Sequence, residues 1–253
     1  MHANASVDEI AAFLDRLLDA PRYAASEPDA NGLLFRAGDG VSKFAAAVNT
    51  SLTTIVGAAK TGAQLLVVHH ASWEGIDLHL REEKMAALRA AGISLYGAHA
   101  TLDCAPEFGN GWVLARALGI EVDGTFAEYH GGHAGVIGRA GGTFAEFVQR
   151  CSHELGVQVE AHAHGKTFGR VAIVTGAGGD TPSMDEARRL GADTYLTGEG
   201  SMYTRMFARE TGMGLIFGTH HATEAPGIKA LGERIAIEAQ IPWEFIADAP
   251  DVF

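Results

Sequence analysis

Residues 61–72 read TGAQLLVVHHAS, and this stretch decides the fold. Its four apolar residues, 65–68, are followed directly by His69 and His70. A short apolar run of this kind, bounded by glycine and polar residues, is typical of a buried strand in a parallel sheet. Polar side chains at the carboxyl end of such a strand lie where α/β sheets place their ligands. The stretch therefore predicts a buried strand with a binding position at its end.

Similar apolar runs recur along the chain, at residues 94–96, 171–174 and 215–217. Helical patterns with glycine at their ends separate these runs, so that strands and helices alternate. This alternation predicts an α/β fold with mainly parallel sheets.

The ends of two helices are marked with particular clarity. Ser6 and Glu9 have the spacing of a capping box, which predicts that an amphipathic helix opens the chain. A later helix has Thr181 as its N-cap, Pro182 at its first position and Gly191 just past its end.

Two pairs of segments resemble each other and indicate an internal repeat. The aligned pairs are 61–72 with 190–201 and, after one gap, 93–103 with 214–224. In the second pair, each segment ends in Gly-x-His-x-x-x-carboxylate. We therefore expect two similar α/β lobes, residues 1–125 and 126–253, with a boundary in the glycine-rich stretch 124–142.

Composition excludes several classes of protein. With 253 residues, 47% of them hydrophobic, the chain can bury a full core. A formal charge of -12 opposes non-specific binding to nucleic acid. The sequence has no signal peptide and no apolar run of roughly 18 residues, which predicts a cytoplasmic protein outside the membrane. The two cysteines, Cys104 and Cys151, are expected to be buried thiols.

Four segments end an apolar run with histidine, aspartate or glutamate, and these segments carry the chemistry. They are residues 68–70, 99–103, 197–199 and 220–224. Imidazole and carboxylate donors together favour zinc, iron, manganese, nickel or cobalt over magnesium and calcium. The sequence therefore predicts a transition-metal site.

The spacing of these residues favours two ions. Neighbouring residues of a regular strand face opposite ways, so His69 and His70 at a strand end would serve one ion each. His220 and Glu224 lie one helical turn apart and face the same side. A carboxylate such as Glu224 or Asp103 can bridge two ions. The predicted ligands are His69, His70, Asp103, His220 and Glu224.

Other candidate sites receive simpler interpretations. His162 and His164 alternate like an exposed strand face, and His130 and His133 lie in the glycine-rich boundary. Residues 176–179, Gly-Ala-Gly-Gly, lack the complete phosphate-binding patterns and indicate a tight turn more than a phosphate cradle. No nucleophile elbow occurs, so covalent catalysis is not predicted.

With its motifs in this order, the chain resembles the GTP cyclohydrolase I type 2 homologue family, also named the NIF-three-like family. The segments are Asn31-Gly32-Leu33, Val67-Val68-His69-His70 with Trp73, Leu95-Tyr96-Gly97-Ala98-His99 to Asp103, Gly109-Asn110, Thr197-Gly198-Glu199 and Gly218-Thr219-His220-His221-Ala222-Thr223-Glu224. Family members often have asparagine where this chain has Thr101, which leaves the metal ligands intact.

The resemblance implies two α/β lobes with a dinuclear metal site in the cleft between them. It assigns the ligands to the five residues predicted above, and it implies a ring-shaped homohexamer. Longer relatives carry an inserted domain between the lobes, so this chain is expected to be a short-form member.

The function expected from these features is metal-dependent hydrolysis. The family name points to GTP, with His99 and Glu199 as proton shuttles or as groups that orient the ligands. A triphosphate would need basic partners such as Arg139, Lys166, Arg170 or Arg205. A non-catalytic metal-binding or regulatory protein is the alternative, and a structural site with one ion is a third possibility.

Overall fold

The computed structural model describes residues 5–23, 26–71 and 78–248. Ser72 and Trp73, which belong to the repeat and to the family motifs, lie outside these residues. Contacts divide the chain into two compact units. Of the described residues, the first contains those up to Ala105 and those from Ile228 to Asp248, and the second runs from Pro106 to Gly227.

The helices have the following bounds: α1 Val7–Leu17, α2 Ala20–Tyr23, α3 Leu52–Thr61, α4 Leu78–Ala91, α5 Ala100–Asp103, α6 Asn110–Ala117, α7 Phe144–Leu155, α8 Thr181–Arg189, α9 Met202–Thr211 and α10 His220–Ala239. The strands are β1 Ala5–Ser6, β2 Asn31–Phe35, β3 Gly40–Val41, β4 Phe44–Asn49, β5 Leu65–His70, β6 Ser94–Ala98, β7 Glu121–Tyr129, β8 Gly132–Arg139, β9 Glu160–His162, β10 Arg170–Val174, β11 Thr194–Thr197, β12 Gly214–Phe217 and β13 Trp243–Phe245. None of the described helices combines the length and apolar character that crossing a bilayer requires.

The first unit is built on a five-stranded sheet in the order β13-β4-β5-β6-β2. Strands β13, β4, β5 and β6 pair in parallel, and β2 closes the edge in the antiparallel direction. Strand β5 has no exposed residue, as expected for a strand with sheet neighbours on both sides. The α/β fold predicted from this strand is confirmed.

The second unit has a six-stranded sheet in the order β7-β8-β10-β11-β12-β9. Its centre, β10-β11-β12, is parallel, whereas β8 and β9 join it in the antiparallel direction. The prediction of mainly parallel pairing therefore holds for the first sheet and for the centre of the second. The sequence did not predict the antiparallel pairing, because the strands that form it lie in short or glycine-rich segments.

The glycine-rich stretch 124–142, where the sequence places the lobe boundary, forms most of the β7-β8 hairpin inside the second unit. His130 and Gly131 form its two-residue turn with φ values of 51° and 82°. Positive φ at both central residues is what a type I′ turn requires. The glycines of this stretch lie in a hairpin. The boundaries between the two compact units lie elsewhere, near residues 105 and 227.

Helix ends follow the sequence closely, with two differences. The Ser6–Glu9 capping box is present, and Gly191 follows α8 with a φ of 88°. The N-cap of α8 is Asp180, whose carboxylate accepts from the Ser183 N–H at 2.8 Å, so the predicted Thr181 cap is wrong by one residue.

The second difference concerns α10, which contains Pro226 and Gly227, two residues that usually break or weaken a helix. The helix instead continues through both residues to Ala239. Proline lacks the N–H that would donate to the carbonyl four residues earlier, so α10 continues with one helical hydrogen bond fewer. A side chain at Gly227 would overlap Asn110, so glycine is required here by packing.

Both cysteines are buried thiols, as predicted. Burial raises the pKa of Cys104 and of Cys151 to about 12. At neutral pH both therefore remain protonated and unreactive.

Candidate functional site

Three histidines gather at the carboxyl ends of β5 and β6 in the first unit. His69 and His70 are the last two residues of β5, and His99 directly follows β6. Ring centroids lie 4.5 Å apart for His69 and His70, 5.0 Å for His69 and His99, and 5.5 Å for His70 and His99. One nitrogen from each ring lies within 4.8 Å of the others, a spacing that could hold a metal ion.

The end of β5 explains how adjacent residues bring their rings together. Pairing of β5 with β6 stops at Val68 and Gly97, so the last two residues are held only by β4. At this end of the strand the rings of His69 and His70 lie 4.5 Å apart, although neighbouring residues of a regular strand face opposite ways.

Hydrogen bonds at Nδ1 fix the orientation of the first two rings. His69 Nδ1 lies 2.8 Å from the carbonyl oxygen of Ala98, and His70 Nδ1 lies 2.6 Å from Asn49 Oδ1. A carbonyl oxygen can only accept, so in each ring Nδ1 carries the proton. Nε2 is then the nitrogen that can bind a metal ion, an arrangement common to histidine ligands.

His99 has a carboxylate as its outer partner. Its Nδ1 lies 2.9 Å from Glu27 Oε2, and its backbone N–H donates to Asn31 Oδ1 at 2.9 Å. The Asn31 amide in turn donates to Glu27 Oε2 at 3.1 Å. The sequence predicted that His99 transfers protons or orients the ligands, but its position makes it a candidate ligand beside His69 and His70.

Asp103 brings the carboxylate of the first cluster. It ends α5, and its Oδ1 lies 3.5 Å from His69 Nε2. Two ligand atoms about 2.1 Å from one ion, at a tetrahedral angle, lie about 3.4 Å apart. The spacing of His69 and Asp103 therefore fits joint coordination of a single ion.

In the second unit, His220, Glu224 and Glu199 follow β11 and β12 and form a second cluster of imidazole and carboxylate groups. His220 begins α10 and its Nε2 lies 3.2 Å from Glu224 Oε1, one helical turn later. The other ring nitrogen, Nδ1, lies 2.5 Å from Glu199 Oε1. His220 and Glu224 thus present an imidazole nitrogen and a carboxylate oxygen at a spacing suited to one ion.

Charge balance in this cluster favours a cation. Burial alone lowers the pKa of His220, but the hydrogen bonds and charges of Glu224 and Glu199 outweigh it and raise the pKa to about 9. Without a metal ion, both ring nitrogens of His220 are therefore protonated at neutral pH, and the ring is a cation. A divalent ion would take the place of the proton on Nε2, between His220 and Glu224, because metal ligands must be deprotonated.

Gly176 provides the space in which His220 and Glu224 meet. It follows β10 with a φ of 60°. A Cβ at this position would overlap Glu224 Oε1 and lie 2.9 Å from His220 Nε2. The backbone N–H of Gly176 donates to Thr223 Oγ1 at 3.0 Å, and its carbonyl accepts from the Glu199 N–H at 3.0 Å. The turn is thus fixed against the helix that carries the cluster.

Thr219, directly before His220, has a φ of 65°. This left-handed conformation is costly for a β-branched residue. Hydrogen bonds from Thr223 Oγ1 to the Thr219 carbonyl, at 3.0 Å, and from the Ala222 N–H to Thr219 Oγ1, at 3.3 Å, hold the residue in place. Strain of this kind concentrates at functional sites, where surrounding structure maintains it.

Replacing Thr219 with asparagine is expected to raise the free energy of unfolding by about 0.5 to 1 kcal/mol, because asparagine tolerates the left-handed region better. Its side-chain oxygen can still accept from the Ala222 N–H. Thr219→Val keeps the strain and loses this acceptor, so it is expected to lower stability. Urea unfolding of the three proteins measures both effects. An asparagine variant less stable than the wild type would contradict the conclusion that Thr219 is strained.

A model of the Duf34/NIF3 (NGG1p interacting factor 3) family matches residues 5–251 of this chain. The chain belongs to the Duf34/NIF3 family. This confirms the family resemblance drawn from the strand-end motifs.

Relatives named GTP cyclohydrolase 1 type 2 homolog match over most of their length. The Deinococcus radiodurans protein is 35% identical over 248 residues, covering 94% of this chain and 92% of the relative. The Pyrococcus horikoshii protein is 35% identical over 241 residues, covering 88% and 90%. The Escherichia coli K12 protein is 32% identical over 255 residues, covering 94% and 97%.

Solved structures share the fold. Protein ybgI, described as of unknown function, matches with a TM-score of 0.85 and 31% identity, covering 96% of this chain and 98% of its own. Reduced HcgD from Methanocaldococcus jannaschii matches with a TM-score of 0.81 and 25% identity, covering 97% and 99%. These similarities confirm the α/β fold of this Duf34/NIF3 chain.

The glycine-rich turn of this Duf34/NIF3 chain, residues 176–179, serves packing. A Cβ at Gly179 would overlap the backbone of Glu199, and the Gly178 carbonyl accepts from the Tyr195 hydroxyl at 2.7 Å. The carboxylate of Asp180 already caps the helix that follows. A tight turn, as the sequence favoured, explains these contacts without a phosphate.

The basic residues that a triphosphate would need are Arg139, Lys166, Arg170 and Arg205. Arg170 forms two hydrogen bonds with Asp123, at 2.7 and 2.8 Å, and Arg139 lies 4.0 Å from the same carboxylate. Arg205 forms two with Glu160, at 3.1 and 2.9 Å. Three of the four cations are thus engaged by carboxylates, and Lys166 is exposed.

His162 and His164 stack with ring centroids 5.6 Å apart. His162 Nε2 lies 2.6 Å from Glu160 Oε1. Neither histidine belongs to a group with metal-ligand spacing among the residues that the structure describes. The same holds for His130 and His133 within those residues.

Proposed function

We propose that this Duf34/NIF3 chain is a dinuclear divalent-metal-binding protein and a metal-dependent hydrolase. The proposed ligands are His69, His70, Asp103, His220 and Glu224, with His99 as a further donor. One observation carries the proposal. In each cluster, a histidine whose Nδ1 has a hydrogen-bond acceptor faces a carboxylate through Nε2, at 3.5 Å in the first and 3.2 Å in the second.

The donor set fits transition metals. Imidazole nitrogen and carboxylate oxygen suit zinc, iron, manganese, nickel and cobalt, and the outer partners seen here are those that orient histidine ligands. Two ions, when bound, supply hydroxide at neutral pH and polarise the bond under attack.

The roles proposed for the protein residues follow from their contacts. Glu199 accepts from His220 Nδ1 and so keeps its Nε2 directed at Glu224. Glu27 holds His99 in the same way. Because the Glu199 side chain is 57% exposed, it can also exchange protons with solvent, the shuttle role suggested for it from sequence.

GTP is the first substrate to test, because the relatives' names refer to it. The pairing of Arg170 and Arg205 with carboxylates argues against a preformed triphosphate site. The same observation favours the second candidate function, a non-catalytic metal-binding or regulatory protein. A ring-shaped homohexamer and a cytoplasmic setting, expected from the resemblance and the sequence, complete the proposal.

Elemental analysis of the purified protein and of Asp103→Ala and Glu224→Ala tests the metal site. The wild type is expected to hold two ions per chain when fully loaded, and each variant is expected to hold fewer, because each loses a carboxylate ligand. Full metal content in both variants would refute the ligand assignment. One tightly held ion in the wild type would instead indicate a mononuclear structural site.

Hydrolysis of GTP, followed on the same samples, separates the two candidate functions. Turnover that is present in the wild type and lost with the metal in both variants supports the hydrolase. Loss of metal in the variants, together with an inactive but metal-loaded wild type, favours the binding protein.

A further inference from the structure

The ring of His70 is oriented by an amide, which can present either of two groups. Asn49 ends β4 and pairs with His70 across the parallel ladder. Its Oδ1 lies 2.6 Å from His70 Nδ1. If the amide turned over, its NH₂ group would face Nδ1 and select the tautomer with the proton on Nε2. A protonated Nε2 cannot bind a metal ion, so the orientation of Asn49 decides whether His70 can act as a ligand.

Asp248 determines which way the amide faces. Asn49 Nδ2 donates to Asp248 Oδ2 at 2.9 Å, and Ser51 Oγ donates to Asp248 Oδ1 at 2.9 Å. A carboxylate only accepts hydrogen bonds, so the NH₂ group of Asn49 must face Asp248 and its oxygen must face His70. Asp248 is only 5% exposed, so little solvent competes for these bonds.

The position of Asp248 is itself well defined. The preceding strand, β13, pairs with β4, and the Ile246 N–H donates to the Ala46 carbonyl at 2.8 Å. Ser51 is the N-cap of α3, so its hydroxyl is fixed by the helix that it begins. The carboxylate, the amide and the imidazole therefore form a chain of hydrogen bonds whose outer end is bound by Ser51.

We propose that Asp248 is a positioning residue which, through Asn49, holds His70 in the tautomer that can bind a metal ion at Nε2. This inference rests on the proposed metal-binding function. Nothing in the sequence connects these residues, because Asp248 lies 199 positions beyond Asn49.

The test compares Asp248→Ala with the double variant Asn49→Asp/Asp248→Ala. In the single variant the amide can turn over, and zinc affinity is expected to fall about 10- to 100-fold, as for other outer partners of histidine ligands. In the double variant, an aspartate at position 49 accepts with either oxygen and needs no orienting partner. It also restores the wild-type charge. Its zinc affinity is expected to return to within about threefold of the wild type.

Zinc affinity is measured by competition with a chromogenic chelator. Unchanged affinity in Asp248→Ala would overturn the inference. A loss that Asn49→Asp does not rescue would also overturn it, because the loss would then reflect general damage to the fold.

A second measurement separates this inference from the proposed function. The ¹⁵N shifts of labelled histidine in metal-free protein report the tautomer of His70 at a pH where the ring is neutral. The proton is expected on Nδ1 in the wild type and the double variant, and on Nε2 in part of the Asp248→Ala molecules. A wild type that binds no zinc would refute the proposed metal binding. A His70 tautomer that is the same in the wild type and in Asp248→Ala would refute this inference.

Discussion

If the protein binds the two ions proposed for it, removing them with a chelator is expected to lower the free energy of unfolding by about 4 kcal/mol per ion, for ions present at about 1,000-fold above their Kd. The proposed ligands are far apart in sequence, between His69 and Glu224, so the unfolded chain has no preformed site. Binding energy therefore appears as folding stability. For a chain of about this length, the loss corresponds to a fall in Tm of about 8 to 16 °C per ion.

Thermal unfolding with and without chelator measures this shift. Glu224→Ala is expected to show a smaller shift, because it starts with less metal. Glu233→Ala is the matched control, since Glu233 is an exposed glutamate on the same helix, α10, and is expected to keep the full shift. Equal Tm values for the wild type with and without chelator would contradict metal-linked folding.

The positions of the two clusters in the fold could be predicted from the sequence. Short apolar runs predicted β5, β6, β11 and β12, and parallel strands present their carboxyl ends at one edge of a sheet. His69 and Asp103 consequently meet in the first unit, and His220 and Glu224 meet in the second. The metal itself remains a prediction.

The position of His99 could have been inferred more fully. In the internal alignment His99 falls opposite His220, and Asp103 falls opposite Glu224. This residue, equivalent to a predicted ligand, was therefore expected to transfer protons or to orient the ligands, and not to bind a metal ion itself. The structure places its ring 5.0 Å from that of His69, which makes it a candidate donor.

The outer partners could not be inferred. Glu27, Asn49 and Asp248 reach their histidine or amide over 72, 21 and 199 positions, and no periodicity relates them to the ligands. The sequence patterns also did not predict that the chain returns to the first sheet as β13. Helix α10, which leads to β13, continues through Pro226, a residue that usually breaks a helix.

Replacing Gly176 with alanine is expected to weaken binding of the ion held by His220 and Glu224, by about 10- to 100-fold. A methyl group at this position would overlap the Glu224 carboxylate. The turn cannot shift away, since Thr223 and Glu199 hold both the N–H and the carbonyl of Gly176. The end of the Glu224 side chain must therefore move, and with it the ligand atom.

Gly156→Ala provides the comparison. Gly156 has a φ of 68°, close to the 60° of Gly176, and a Cβ there would meet no atom within 4 Å. Each variant carries the penalty of alanine in the left-handed region, about 1 to 2 kcal/mol. Only Gly176→Ala adds an overlap with a buried side chain, at a further cost of about 1 kcal/mol or more. Urea unfolding of metal-free protein and zinc competition measure the two effects separately. If both variants bound zinc equally well, Gly176 would be needed only for its backbone conformation, and the space it leaves beside Glu224 would have no part in metal binding.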